Sequence, residues 1–280
     1  MAGEQVILVT GCSSGIGRAI ALEGVRRGHR VFATARNRAD LADLERPEKL
    51  VGLALDVTDP VSIRSAVEEV LSRAGRIDAL VNNAGYGQYG SVEDVSAEEW
   101  RAQFDVNFFG AIEMTRAALP AMRARRAGTV VMVSSVAGKV AIPFAAPYSA
   151  TKHALEAVAD SLRVELSAFG IRVVLVEPGP IATRFGERAR SGVASMLGRP
   201  GPYRELYTGA ERAMGGDFSK GGGTSEDVAR VVLKAIESAR PRARYAVTAM
   251  AKLLIPLTRV LPDRWIDALM RRSLKVPSGP

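Results

Sequence analysis

Tyr148 and Lys152 stand four residues apart in the stretch PYSATK. On a helix that spacing puts both side chains on one face. A tyrosine loses its proton only at about pH 10, so it is a poor base at neutral pH. A neighbouring ammonium and the positive end of a helix both favour the phenolate, and Pro147 suits a first helical turn. Such a tyrosine can give or take a proton as a general acid or base. Tyr-x-x-x-Lys alone equally describes a half-buried tyrosine beside a surface lysine, so other residues must converge on it. Ser135 closes the apolar run GTVVMVSS thirteen residues before Tyr148, and Asn107 lies in FDVNFFG. Successive strand residues face opposite ways, so only one of Ser134 and Ser135 can face the tyrosine, and the spacing selects Ser135. His153 adjoins Lys152 but projects about 100° round the helix, which suits packing or surface rather than chemistry.

A second group sits near the start of the chain. In VTGCSSGIG the glycines Gly11, Gly15 and Gly17 follow the apolar run VILVT, in the spacing G-x-x-x-G-x-G. A strand ends here and a helix begins, and the first amides of that helix have no internal partners. They point, with the positive end of the dipole, at whatever lies above, which suits a pyrophosphate that the glycines let the backbone approach. Ser13 and Ser14 add hydroxyl donors. The alternative is a strand–helix turn with incidental glycines. A P-loop is excluded, because no Gly-Lys-Ser/Thr follows. In a dinucleotide-binding sheet an acid at the end of the second strand binds the adenosine ribose and selects NAD. The corresponding run VFATARN has Ala35 in the acid's place, followed by Arg36. A guanidinium binds a 2′-phosphate with two donors where a carboxylate would repel it, so NADP(H) is expected over NAD(H).

The elements that must position these residues alternate. QVILVT, RVFATA, VGLALD, IDALVNN, GTVVMVSS, IRVVLVEP and RYAVT are short, β-branched and apolar on both faces. Between them lie amphipathic helical patterns over roughly 15–28, 38–46, 60–74, 97–126, 148–169 and 225–239. Alternation of this kind predicts an α/β fold: a doubly wound, mainly parallel seven-stranded sheet with helices on both faces. In such a sheet ligands bind at the carboxyl ends of the strands. Gly11, Arg36, Asp56, Asn83, Ser135 and Pro178 all fall at such ends. The catalytic domain is expected over 1–248, with a Gly- and Arg-rich substrate loop at about 184–223 lacking clear periodicity. A C-terminal extension covers 249–280.

With these residues in order the chain resembles the short-chain dehydrogenase/reductase family, of the single-domain type. The resemblance rests on Thr10-Gly11-x3-Gly15-x-Gly17, Asp56, Asn82-Asn83-Ala84-Gly85, Asn107, Ser135, Tyr148-x3-Lys152, and Pro178-Gly179 with Thr183. CSSGIG and ATARN are further similar to the branch holding hydroxysteroid and retinol dehydrogenases. The resemblance implies hydride transfer between a nicotinamide and a carbonyl or alcohol. Tyr148 would exchange the hydroxyl proton, and Ser135 would hydrogen-bond the substrate oxygen. Lys152 would lower the Tyr148 pKa and hold the nicotinamide ribose, while Asn107 anchored a water leading from Lys152 to solvent. Gly11, Ser13, Ser14, Gly15, Ile16 and Gly17 would cradle the cofactor. Asp56 and Val57 would contact its adenine, and Asn83, Ala84 and Gly85 would flank the ribose. Pro178, Gly179, Ile181 and Thr183 would complete the nicotinamide side. A non-catalytic NADP(H)-binding sensor on the same fold is the alternative, and an intact Ser135, Tyr148 and Lys152 argues against it.

Bulk properties bound the rest. From Arg240 to Pro280 there are nine Lys or Arg against two acids, +7 of the net +8, so the preceding 239 residues are near neutral. The basic charge belongs to the tail, and nucleic acid is not an expected partner. Cys12 is the single cysteine and the two histidines, His29 and His153, stand apart, so no disulfide and no metal site is expected. No signal peptide or membrane-spanning run is read, which suggests a cytoplasmic protein. In 262–275, Trp265, Ile266, Leu269, Met270 and Leu274 form an apolar stripe with Arg264, Asp267, Arg271 and Lys275 largely opposite. That helix is expected to dock on the body or a sister subunit, or to touch a membrane surface. The long lid and apolar tail point to a small lipophilic substrate. The resemblance adds a homodimer or homotetramer paired through helices 97–126 and 148–169.

Overall fold

The computed structural model describes residues 3–46, 48–181, 196–197, 201–216, 222–258 and 260–274. All seven predicted strand runs enter one sheet. They form β1 (Val6–Val9), β2 (Arg30–Ala35), β3 (Leu50–Ala54), β4 (Ala79–Asn82), β5 (Gly128–Val133), β6 (Ile171–Glu177) and β7 (Arg244–Ala246). Their order is β3-β2-β1-β4-β5-β6-β7 and every neighbouring pair is parallel, so the sheet is wholly rather than mainly parallel. VILV of β1 and GTVVMV of β5 are buried along their whole length, because helices cover both faces.

Period-two alternation sorts the strand side chains into two apolar layers. Val6, Leu8 and Phe32 meet helices α2 (Pro60–Ala74), α4 (Gly110–Arg125) and α5 (Ala146–Glu165) on one face. Ile7, Val9 and Val31 face the opposite way, toward α1 (Gly15–Arg26) and the helix Ser225–Glu237. Local signals set the helix ends. Asp59 caps α2 by accepting from Val61 N at 2.8 Å, Pro60 opens it, and Gly75 closes it at φ 69°. The strand order reverses at β1, which has β2 on one side and β4 on the other. That switch point opens a crevice at the strands' carboxyl ends.

Four boundaries differ from the sequence pattern. The helix expected over 38–46 is a single 3-10 turn, Arg38–Leu41, enough to bury Leu41 and Leu44 without a longer helix. The helix expected over 97–126 is α3 (Ala97–Phe104) and α4 joined by a π-helical turn, Asp105–Phe109. The one expected over 148–169 starts at Ala146 and stops at Glu165, with a separate turn at Ser167–Phe169. Within 184–223, read as aperiodic, Arg204–Gly216 is a helix, α6. Leu206, Tyr207 and Ala210 give it one short inward stripe that the surrounding Gly and Arg obscure in the sequence. The helix after it, Ser225–Glu237, is α7, followed by α8 (Ala249–Leu257) and α9 (Asp263–Leu274). Among the described residues no helix is long and apolar enough to cross a membrane.

Candidate functional site

The carboxyl ends of β1 and β4 are locked together. Thr10 Oγ1 accepts from the amides of Asn83 and Ala84, both at 2.9 Å. Asn83 Nδ2 donates to the carbonyls of Thr10 and Gly11 at 2.9 and 3.1 Å. Gly11 has φ +74°, the left-handed region, and a Cβ there would lie 2.8 Å from Ala84 Cα. At Gly17 a Cβ would lie 2.2 Å from the Gly11 carbonyl oxygen, so only glycine lets α1 start against this loop. Ser14 is the N-cap of α1, yet its side chain makes no cap bond and no acid occupies the first turn. The first amides of α1 therefore face the crevice without an internal anion, as a phosphate cradle requires. Cys12 takes no part. Its Sγ donates to Val9 O at 3.3 Å, and complete burial pushes its pKa up to about 12.

At the next two strand ends, Ala35 is buried and Arg36 is exposed. The guanidinium of Arg36 lies near enough to Asp56 to help lower the latter's pKa, although the amide and hydroxyl of Thr58, at 2.9 and 2.7 Å, do most of it. Val57 packs against Gly110 through both its side chain and its carbonyl oxygen.

The residues expected to transfer a proton meet across the crevice. Tyr148 occupies the first turn of α5 and is hydrogen-bonded to Ser135, which follows β5. Ser135 Oγ also accepts from Ala137 N at 3.1 Å and points to Pro178 O at 3.5 Å. Lys152 Nζ lies 5.7 Å from the centre of the Tyr148 ring and donates to Val133 O at 2.8 Å. Asn107 sits in the π-helical turn, where the extra residue turns its amide inward. It accepts from Tyr86 N at 3.0 Å, donates to Tyr86 O at 2.8 Å, and reaches Thr151 Oγ1 at 3.4 Å. Ser134 faces away, near Gly138 and Glu156, and His153 is exposed with Nδ1 on Ser149 O.

The electrostatics correct one expectation. Lys152 and the helix end were expected to draw Tyr148 toward phenolate. Burial instead pushes its pKa up to about 12, with the Ser135 hydrogen bond opposing. Burial also brings Lys152 down to about 8, against the pull of Glu156 one turn along α5. Desolvation disfavours both charged forms at once, so the phenol is held protonated.

On the nicotinamide side, Pro178 O accepts from Val136 N at 2.8 Å. A Cβ on Gly179 would come within 2.2 Å of Thr248 Oγ1, and Ile181 bridges to Gly223. Thr183 and half of 184–223 lie outside the described residues. Among the described residues no group of acids, histidines or cysteine could hold a metal.

Other residues close the site that the sequence did not single out. Tyr89, Phe144, Met196 and Tyr207 pack with Tyr148 in an apolar wall. Tyr207 OH accepts from Ser91 N at 2.7 Å and donates to Asp94, pinning α6 to the loop after β4. A bridge between Gly90 and Ala145 ties that loop to the start of α5, with Phe144 at φ 63° beside it. The left-handed Phe144 has no sequence signal, and Tyr89 lies in a run without periodicity. Thr10 was visible as part of the motif, and only its role as a clasp needed coordinates.

The comparisons with known proteins agree with this geometry. Residues 5–194 match the family model described as short chain dehydrogenase. An NADPH-dependent 3-dehydrocapnine reductase of Ornithobacterium rhinotracheale is 36% identical, over 96% of each chain. Retinol dehydrogenase 8 of Bos taurus is 36% identical, over 92% of this chain and 86% of that one. The crystal structure of a short-chain dehydrogenase from Streptomyces avermitilis superposes with a TM-score of 0.81 at 34% identity, covering 99% and 98% of the two chains.

Proposed function

The chain belongs to the short-chain dehydrogenase/reductase family of oxidoreductases, and within it we propose an NADP(H)-dependent reductase of a lipophilic ketone or aldehyde. The observation that carries this reading is the buried Tyr148 phenol, hydrogen-bonded to Ser135 within an apolar wall. The glycine cradle, the open amides of α1 and the exposed Arg36 fit a phosphorylated dinucleotide. A bound nicotinamide supplies the hydride to the carbonyl carbon. Tyr148 gives its proton to the carbonyl oxygen, so the C=O bond becomes CH–OH. Ser135 donates to the same oxygen as charge builds on it. Lys152 and Asn107 stand behind the tyrosine to return its proton. A phenol held protonated across the neutral range can give its proton to a carbonyl oxygen, and the same group takes a proton back in the reverse direction. Two relatives bear on the finer points: one is named as NADPH-dependent, the other for retinol, a lipophilic alcohol.

NADPH oxidation over a panel of steroids, retinoids, long-chain aldehydes and small ketones tests this. Turnover should concentrate on the lipophilic members. Tyr148→Phe should lower kcat by about 10²–10⁴-fold while NADPH still binds. Near-normal turnover by that variant would reject the mechanism, and turnover confined to small polar ketones would reject the substrate class.

A further inference from the structure

Away from the crevice, the outer side of β7 carries a cleft of about 600 Å³. α7 contributes Lys234, the approach to β7 contributes Arg240 and Arg242, and α8 contributes Lys252. No acid lines it. All four side chains are exposed, and among the described residues none pairs with a carboxylate. The fifth cation, Arg244, is already engaged by Asp160, Glu156 and Glu177 at 2.7, 3.2 and 3.3 Å. Elsewhere some arginines are matched, as Arg27 is by Glu23 and Glu237, and others, such as Arg36, Arg64 and Arg123, stand singly among the described residues. What sets the cleft apart is four unpaired cations around one acid-free hollow, three of them in a tail that holds nearly all the net charge of the chain.

The same tail shows apolar side chains to solvent. On α8 the inner residues Ala251 and Ile255 are buried against Val136 and Val140, while Leu253, next to Lys252, is 64% exposed. On α9 the stripe divides. Ile266 and Met270 pack on the body, and Trp265 and Leu269 stay outside at 60% and 42% exposure. The helix therefore docks through half of its apolar stripe and presents the other half.

We infer that the basic cleft of Lys234, Arg240, Arg242 and Lys252 binds the phosphates of anionic phospholipids, seating the tail on a bilayer with Leu253, Trp265 and Leu269 inserted at the interface. Charge complementarity selects this occupant. A second copy would fit only by bringing a matching acidic surface to the cleft. A nucleic acid would use the cations but leave the exposed leucines and tryptophan in water. A headgroup layer satisfies both, since cations bind its phosphates while tryptophan and leucine enter beneath them.

The test uses the full chain and co-sedimentation with vesicles of phosphatidylcholine alone or with about a third phosphatidylglycerol, where each nearby cation strengthens binding about fivefold. The chain should pellet with the anionic vesicles, not the neutral ones, and added salt should release it. The triple variant Arg240→Gln, Arg242→Gln, Lys252→Gln should bind about 100-fold more weakly, with soluble-substrate turnover unchanged as proof of folding. Trp265→Ser with Leu269→Ser should weaken binding without removing its salt dependence. Equal pelleting on neutral vesicles, or full binding by the triple variant, overturns the inference. Thermal protection by glycerol 1-phosphate without vesicle binding would assign the cleft to a soluble phosphate instead. Self-association lost in the triple variant, again without vesicle binding, would assign it to a second copy; either result overturns the lipid.

Discussion

Arg36 emerges from the sheet without an acid at the preceding position, where Ala35 is buried. Among the described residues no carboxylate forms an ion pair with it, and Asp56, which it helps to keep ionised, is occupied by Thr58. A free guanidinium at the rim of a dinucleotide crevice is the group a 2′-phosphate needs, and a charge-assisted hydrogen bond is worth about 1.5–3 kcal/mol. Arg36→Asp should therefore lower kcat/KM for NADPH by about 10–100-fold and raise it for NADH, through KM more than kcat. A wild type that turns over NADH better than NADPH would refute this role. Tyr148 is the opposite case. Its type and its spacing from Lys152 were legible, but its protonation was not, because burial rather than the neighbouring lysine governs it.

At the scale of elements, the site depends on a buried ionic joint that the sequence did not reveal. Glu156 of α5, Glu177 at the end of β6 and Arg244 of β7 come together with Lys139 and Asp160. Arg244 ties the three-residue β7 to α5, while Glu156 lies one turn from Lys152. Glu177 is buried beside the Glu156 carboxylate, and desolvation first, then that charge, raises its pKa from 4.5 to about 7. A carboxyl with a raised folded pKa holds its proton more tightly when folded. Its contribution to stability is full below about pH 4.5 and is lost as pH rises through about 7. Glu177→Gln should remove that fall, giving a urea midpoint that declines less than the wild type's between pH 5 and pH 7.5. Parallel declines in both proteins would show that Glu177 does not titrate in this window. The strands were legible because a sheet covered on both faces needs unbroken apolar runs, and the chain has seven. The crevice followed from their order, since Gly11, Asn83, Ser135 and Pro178 all close such runs. The π-helical turn was hidden because it keeps the helical pattern of 97–126 while adding one residue to the turn. α6 was hidden because its inward Leu206, Tyr207 and Ala210 are interspersed with Gly, Arg and Glu. The carboxylate joint was hidden because its members are far apart in sequence, Arg244 lying 88 residues from its partner Glu156.

At the scale of the molecule, charge and apolar surface are unevenly distributed. Four unpaired cations line the cleft beside β7, whereas uncovered apolar groups stand on the π-helical turn and around the end of α5. Phe109 is 52% exposed at the end of the π-helical turn, beside a cleft of about 410 Å³ shared with Trp100 and Phe104. Val164 on α5 is 72% exposed and Phe169, just beyond that helix, 38%. Exposed apolar groups at the start of α4 and around the end of α5 suit a self-complementary contact, in which each subunit presents the same patch across a two-fold axis. Phe109 is the largest uncovered side chain on that face. A buried aromatic anchor costs about 2 kcal/mol or more when lost, and a two-fold contact contains it twice. Phe109→Asp should therefore weaken dimerisation by about 10³-fold, read as a shift to the monomer in sedimentation velocity at micromolar protein. Val61→Asp is the control, since Val61 is 63% exposed on α2, away from this face, and should leave the assembly unchanged. A dimer that survives Phe109→Asp with unaltered affinity would place the contact elsewhere. Loss of the dimer in both variants would mean that added charge, rather than this surface, had disrupted it.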